Sequence, residues 1–227
     1  MKIGGLLKFS LIDYPGKISA VIFTQGCNFF CPYCHNPELV VPERFCKPIP
    51  EETVLDFLAK RVGQIEGVVI TGGEPTVQKD LIAFLQKVKA MGYPIKLDTN
   101  GSNPDVLEKI FEFHLVDYIA MDVKASLEKY VKLTSLKGCP ELISRSISTI
   151  LGSQVAHEFR TTLARPIVPE EDLPKIVSLV HGAHKYRLQR FIPRDNILDT
   201  ELSQEFPENF SEKEVAGLQN IWGIGGN

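Results

Sequence analysis

No stretch of this 227-residue chain approaches the ~20 consecutive apolar residues that a membrane-crossing helix needs. Nor does its start combine a basic segment, an apolar run and a cleavage site. A membrane protein is not expected, and a cytoplasmic location is. Positive charge is not in excess either: 25 Lys and Arg face 28 Asp and Glu, a formal net charge of −3. That balance argues against a protein built mainly to grip nucleic-acid phosphates, so no nucleic-acid partner is expected. Cysteine is too scarce for a disulfide framework. The five present are an odd count and three crowd into eight residues, so reduced thiols held for metal or redox chemistry fit better. Internal repeats, low-complexity tracts and interdomain linkers are also missing.

What is present suffices for a sizeable core, with 44 % hydrophobic residues against 23 % charged. Short β-branched runs alternate with longer helical patterns. Strands are expected at 18–24, 67–71, 94–99, 117–123, 155–163 and 187–192. Helices are expected at 50–61, 79–91, 104–113, 141–151 and 169–180. About six strands with intervening helices imply an α/β fold of parallel βαβ units. The chain is too short for eight repeats, so an open, partial (β/α)6 barrel is favoured, with a flat doubly wound sheet as the alternative. Residues 1–194 would form that barrel domain, and 195–227 a tail or lid that periodicity does not resolve.

In either architecture ligands belong at the carboxyl ends of the strands. Unusual polar segments fall there: GCNFFC (26–31), TGGEP (71–75), DTNG (98–101), MDVK (121–124) and, more loosely, RTT (160–162). Cys27, Cys31 and Cys34 lie three and two residues apart, so one compact loop can bring three thiolates to one centre. Three metal readings stay open on spacing alone. Structural zinc wants a fourth ligand, which Cys46 or His35 could supply. A fully ligated four-iron cluster wants a fourth cysteine. A four-iron cluster with three protein ligands leaves one iron open for another molecule. Phe29, Phe30 and Tyr33 would shield such a centre from water.

The other segments have ordinary readings too. Gly72-Gly73 can be a tight turn, or a place where backbone carbonyls approach a ligand's ammonium group. Asp98-Thr99-Asn100 can cap a helix or bond hydroxyls and a carboxylate. Asp122 and Lys124 alternate and so share a face, as a surface pair or as site residues. Cys46 and Cys139 are read as bystanders, and His114, His157, His181 and His184 as packing or surface residues.

The pattern Cys27-x-x-x-Cys31-x-x-Cys34, with Tyr33 before the last cysteine, resembles the signature of the radical S-adenosylmethionine (radical SAM) enzymes. The resemblance runs over roughly residues 5–195. It implies a [4Fe-4S] cluster on the three cysteines, whose open iron is chelated by the amino and carboxylate groups of SAM. One-electron reduction then splits the sulfonium C–S bond, and a 5′-deoxyadenosyl radical abstracts hydrogen. Gly72-Gly73-Glu74 is similar to the family's GGE motif, which holds the methionine amino group. Asp98-Thr99-Asn100 matches its polar cluster for ribose and carboxylate. By the same resemblance Arg160 is a candidate fork for the SAM carboxylate, against an exposed strand cation, and Ile192 a wall for adenine, against ordinary packing.

Cys34-His35-Asn36 and Asp122-x-Lys124 resemble the activases of glycyl-radical enzymes, in which the Asp and Lys lie beside SAM and the incoming peptide. The lead-in FSLIDYPGK (9–17) is similar to the anaerobic ribonucleoside-triphosphate reductase activating proteins. The resemblance implies hydrogen abstraction from one glycine of a partner, the anaerobic ribonucleotide reductase. With no cysteine-rich insert for accessory clusters, it also implies a flavodoxin or ferredoxin as electron donor. One departure is that Arg194 and Asp195 follow Pro193 where pyruvate formate-lyase activases carry a histidine. The alternatives are a small-molecule radical SAM enzyme such as a 7-carboxy-7-deazaguanine synthase, and a non-catalytic iron–sulfur or zinc protein.

Overall fold

The computed structural model describes residues 1–165, 167–192, 196–199 and 210–221. Seven strands form one sheet, and each hydrogen-bonds to the next in chain order: β1 Ile3–Ser10, β2 Ser19–Thr24, β3 Gly67–Gly72, β4 Ile95–Thr99, β5 Tyr118–Asp122, β6 Ala156–Leu163 and β7 Tyr186–Arg190. From β2 to β7 every pairing is parallel. A doubly wound sheet reverses direction at a switch point. This order never reverses, so the winding is that of a barrel left open between β1 and β7.

The β1 strand is a correction to the expectation of six. It runs antiparallel to β2, with Leu6 opposite Ile22 and Leu7 opposite Val21. Its sequence, IGGLLKFS, holds two glycines and no alternation, which is why pattern reading passed over it.

Between successive parallel strands lie α1 Glu51–Ala59, α2 Leu81–Ala90, α3 Pro104–Glu112, α4 Cys139–Leu151 and α5 Leu173–Leu179. Each buries one stripe. In α4 the spacing Ile143, Ile147, Ile150 points a ridge at the core, and Ser146 on the same face donates to the Gly101 carbonyl at 2.6 Å. Helix α5 starts later than expected because residues 170–172 form a tighter 3-10 turn. The main core lies between sheet and helices and includes Ile22, Val68, Ile70, Ile95, Leu97, Ile119 and Phe159. Among the described residues no helix is long and apolar enough to cross a membrane.

The inner face of the sheet is different. Tyr14, Val21 and Val69 form a second apolar cluster, with Phe23 and Tyr118 against it. Tyr14 enters from the β1–β2 loop and stacks obliquely on Tyr118 at 6.1 Å between ring centres. Gly67 makes room for it, since a β-carbon there would come within 2.9 Å of the Tyr14 ring. Towards the carboxyl ends the same face turns polar, with Asp98, Asp122 and Arg160.

The described parts of the stretch read as a tail pack on this body. Leu198 and Asp199 donate backbone N–H bonds to the carbonyls of Cys34 (3.1 Å) and Pro32 (3.0 Å). A helix not anticipated from sequence, α6 Glu212–Ile221, buries Val215 and Leu218, and Gln219 donates to the Leu188 carbonyl of β7.

Candidate active site

The β2 strand delivers the cysteine loop to the carboxyl end of the sheet, and neighbouring segments pin it. Gly26 donates to the Leu39 carbonyl (2.8 Å), Gly73 to Thr24 (2.9 Å) and Glu74 to Gly26 (2.8 Å). The glycine pair is required by this backbone-to-backbone approach. A β-carbon on Gly73 would meet the Gly26 carbonyl oxygen at 2.2 Å, and one on Gly72, at φ +116°, would meet the Thr24 nitrogen at 2.3 Å.

The result is a cavity of about 220 Å³. Cys27, Cys31, Cys34 and Tyr33 line it from the loop. Gly72, Gly73 and Glu74 line it from the end of β3, Asp98, Thr99 and Asn100 from β4, Asp122 and Lys124 from β5, and Arg160 from β6. Thirteen of the fourteen sequence-predicted site residues thus share one hollow. Ile192 is the exception: it does not line the cavity and is 54 % exposed. Its carbonyl instead takes a 2.9 Å hydrogen bond from His35 Nε2, and the His35 ring stacks on Phe191. Pro193, Arg194 and Asp195 lie outside the described residues.

Glu74 sits at the centre of the polar side. Its carboxylate accepts from Thr76 N (3.0 Å), Thr99 Oγ1 (2.7 Å) and Asn100 N (2.6 Å), so it ties the β3 and β4 ends together. Burial raises its pKa, and those hydrogen bonds oppose the rise. Asn100 in turn donates to Asn28 Oδ1 at 3.0 Å, with the Cys27 sulfur 3.9 Å away.

Arg160 does not stand free as a fork. Its Nε donates to Asp122 Oδ1 (2.7 Å) and one terminal nitrogen to Asp98 Oδ2 (3.4 Å), while Lys124 reaches Asp122 Oδ2 at 3.3 Å. Burial disfavours charge on Asp122, yet Arg160 and Lys124 outweigh it and hold the carboxyl down to about 2. Lys96, two residues before Asp98 on the same face, bonds Asp98 Oδ1 and is nearly fully buried. It was missed, although the alternation in PIKLDT carries it. Tyr130 was missed too: its hydroxyl accepts from Lys124 N at 2.9 Å, and no local pattern announces it.

The thiols suit iron. Burial pushes Cys27 up to about 12 and Cys31 to about 11, and raises Cys34, so without metal all three hold their protons. Cysteine ligation displaces those protons. Among the described residues no three His, Cys, Asp or Glu side chains converge on a single-ion site. Three thiols lining one cavity are the kind of soft donor set an iron–sulfur cluster takes. Cys46 is exposed and Cys139 buried, and neither lines the cavity.

A family model described as the radical SAM superfamily matches residues 21–180. The chain belongs to the radical SAM superfamily. Among its radical SAM relatives is a Methanocaldococcus jannaschii protein provisionally named a glycyl-radical enzyme activating enzyme, 38 % identical over 85 % of this chain and 81 % of that one. A pyruvate formate-lyase-activating enzyme of Listeria monocytogenes is 33 % identical over 57 % of this chain and 56 % of its own. The radical SAM fold is shared with a solved structure of TYW1 carrying a lysine-pyruvate adduct, at TM-score 0.65 and 18 % identity over 90 % of this chain and 72 % of that one. Streptococcus suis SuiB bound to its precursor peptide SuiA superposes at TM-score 0.64 and 13 % identity, over 88 % and 44 %.

Proposed function

We propose that this radical SAM enzyme is an activase, which takes a hydrogen atom from one glycine of a partner glycyl-radical enzyme, the anaerobic ribonucleoside-triphosphate reductase. The observation that carries the reading is the shared cavity: three thiols face a Gly-Gly-Glu turn and an Asp-x-Lys pair across the ends of adjacent parallel strands. Relatives named as glycyl-radical and pyruvate formate-lyase activating enzymes support the reaction class. The reductase as partner is supported by the FSLIDYPGK lead-in alone.

Cys27, Cys31 and Cys34 would hold a [4Fe-4S] cluster, and the side chains opposite would hold SAM. When bound, the pair supplies reductive cleavage of the sulfonium bond and the carbon radical that removes hydrogen from glycine. The protein's part is positional. Gly72 and Gly73 let the β3 end pack directly on the cysteine loop, and the backbone they present to the cavity would meet a ligand's ammonium group. Glu74 is spent on Thr76, Thr99 and Asn100, so it orients the loop that would meet ribose. Asp122 and Lys124, ionised and mutually paired, would bind the polar ends of SAM and of the incoming peptide. Arg160 keeps Asp122 charged and holds Asp98 and Asp122 in place, with its Nε and one terminal nitrogen committed to them.

The test is anaerobic reconstitution with iron and sulfide, then reduction with SAM and the candidate reductase. We expect 5′-deoxyadenosine, and a glycine-centred doublet in electron paramagnetic resonance on the reductase. Replacing Cys27, Cys31 or Cys34 by Ala should abolish both signals, whereas Cys46→Ala should not. Deoxyadenosine without a doublet on any glycyl-radical protein would move the substrate to a small molecule. No cleavage of SAM at all would remove the class.

A further inference from the structure

The outer side of the cysteine loop carries a surface that the cavity does not use. Phe29 forms part of the cavity wall, but its neighbour Phe30 does not line the cavity and is 54 % exposed. Phe30 is held firmly. Its N–H donates to the Leu133 carbonyl at 2.8 Å, and Thr134 Oγ1 donates to the Asn28 carbonyl at 2.7 Å. These two bonds hold the segment that follows β5 against the back of the loop. On that segment Val131 is 69 % exposed, and Lys132 and Lys137 are exposed as well.

The charge of this region runs against that of the chain. Residues 124–138 hold Lys124, Lys129, Lys132 and Lys137 against the single acid Glu128, in a protein whose net charge is −3. Lys124 is paired with Asp122 and Lys129 with Asp172, while Glu128 meets Lys175. Lys132 and Lys137 have no ion-pair partner among the described residues.

We propose that the ridge of Phe30, Val131, Lys132 and Lys137 is the docking surface for a small acidic one-electron carrier protein. The proposal rests on the function argued above and adds where the electron enters. The cavity mouth is claimed by the nucleoside and the partner's glycine segment, so a carrier has to approach from elsewhere. Phe30 is covalently next to Cys31, so the ridge begins one residue from a ligand thiol. One electron leaves the carrier, which is oxidised by one equivalent, and the cluster is reduced by one; no bond forms and no proton moves.

Electrostatics favour this face over others. An acidic protein is repelled by the chain as a whole and attracted where the local balance is basic, as over residues 124–138, which steers encounter more than it tightens binding. Two exposed apolar side chains flanked by lysines form a small patch, as suits a transient redox contact that must release after each transfer.

The test uses the full-length protein loaded with iron and sulfide, with reduced flavodoxin and, in parallel, reduced ferredoxin as probes. In Lys132→Glu/Lys137→Glu the dissociation constant for at least one carrier should rise about tenfold at low ionic strength, and the difference should shrink at ~0.5 M salt. The second-order rate of cluster reduction by that carrier should fall by a similar factor, while reduction by dithionite is unchanged. Equal binding of both carriers by variant and unaltered protein overturns the proposal. So does a variant that binds carriers normally but, under dithionite, no longer forms the glycyl radical on the reductase, because the ridge then serves that partner. The binding titration needs no turnover, so it decides on the ridge even if SAM is not cleaved, an outcome that counts only against the proposed function.

Discussion

Glu74 is almost wholly buried, yet it keeps a carboxylate satisfied by donors from two separate strand ends. Removing that carboxylate takes the acceptor from the buried amides of Thr76 and Asn100 and from the Thr99 hydroxyl. We therefore expect Glu74→Ala to cost about 3 kcal/mol, since each unsatisfied buried donor carries its own desolvation penalty. Glu74→Gln should recover part of this, because one amide oxygen still accepts. Thermal or urea unfolding of the cluster-free proteins checks it, and an alanine variant as stable as its parent would dismiss the hub. At this scale the site was largely legible in sequence: cysteine spacing, the glycine pair and the Asp-Thr-Asn run all announce themselves locally. What was not legible is which residue binds which. Glu74 reads as a ligand contact until Thr99 and Asn100, 25 and 26 positions away, are seen to occupy it. Arg160 reads as a free fork until Asp98 and Asp122 arrive from neighbouring strands.

The elements that pattern reading found are those with one period and one buried face, such as β3, β4 and α4. Two escaped. The β1 strand pairs antiparallel at the edge, and Gly4 sits where a β-carbon would meet the Gln25 and Leu39 side chains at 2.5 and 2.7 Å. Helix α6 has little apolar excess and is fixed by a few contacts to β7. The YPG turn before β2 was also opaque, because its purpose lies across the sheet: Tyr14 fills the amino-terminal end of the inner face. Ser10 holds the turn that presents it, its hydroxyl accepting from Ile12 N (3.2 Å) and Asp13 N (3.3 Å). Truncation to Tyr14→Ala should leave a void among Val21, Val69 and Tyr118 and cost about 3 kcal/mol. Tyr14→Phe should stay within about 1 kcal/mol, since the ring does the packing. Urea midpoints of the two variants decide the matter. Equal stability of all three proteins would mean the ring is a surface feature.

For the molecule as a whole, an open barrel of sequential parallel strands leaves polar residues facing a hollow at one end, and a metal centre can complete what the chain cannot. Without iron, Cys27 and Cys31 are half-buried and buried thiols whose loss of solvent lifts their pKa values to about 12 and about 11, against 9.0 for an ordinary thiol. Because these acids bind protons more tightly folded than unfolded, they add stability that is fully present below pH 9 and is lost as pH climbs towards 11. Between pH 8.5 and 10 that loss amounts to about 2 kcal/mol for the two thiols together, and near pH 10 the tyrosines raised by burial begin to add to it. With a cluster in place the thiols would have exchanged their protons for iron, so this source of alkaline sensitivity disappears, and ligation that exists only in the folded state adds stability of its own. Scanning calorimetry under anaerobic conditions should therefore show a cluster-free midpoint that falls from pH 8.5 to 10 and a loaded midpoint that is higher and flatter. Cys31→Ala without iron should flatten the profile in part, because it deletes one of several thiols raised by burial, Cys27, Cys34 and Cys139 remaining. If loaded and cluster-free protein melt along the same pH curve, the three cysteines are not holding the centre on which the site depends.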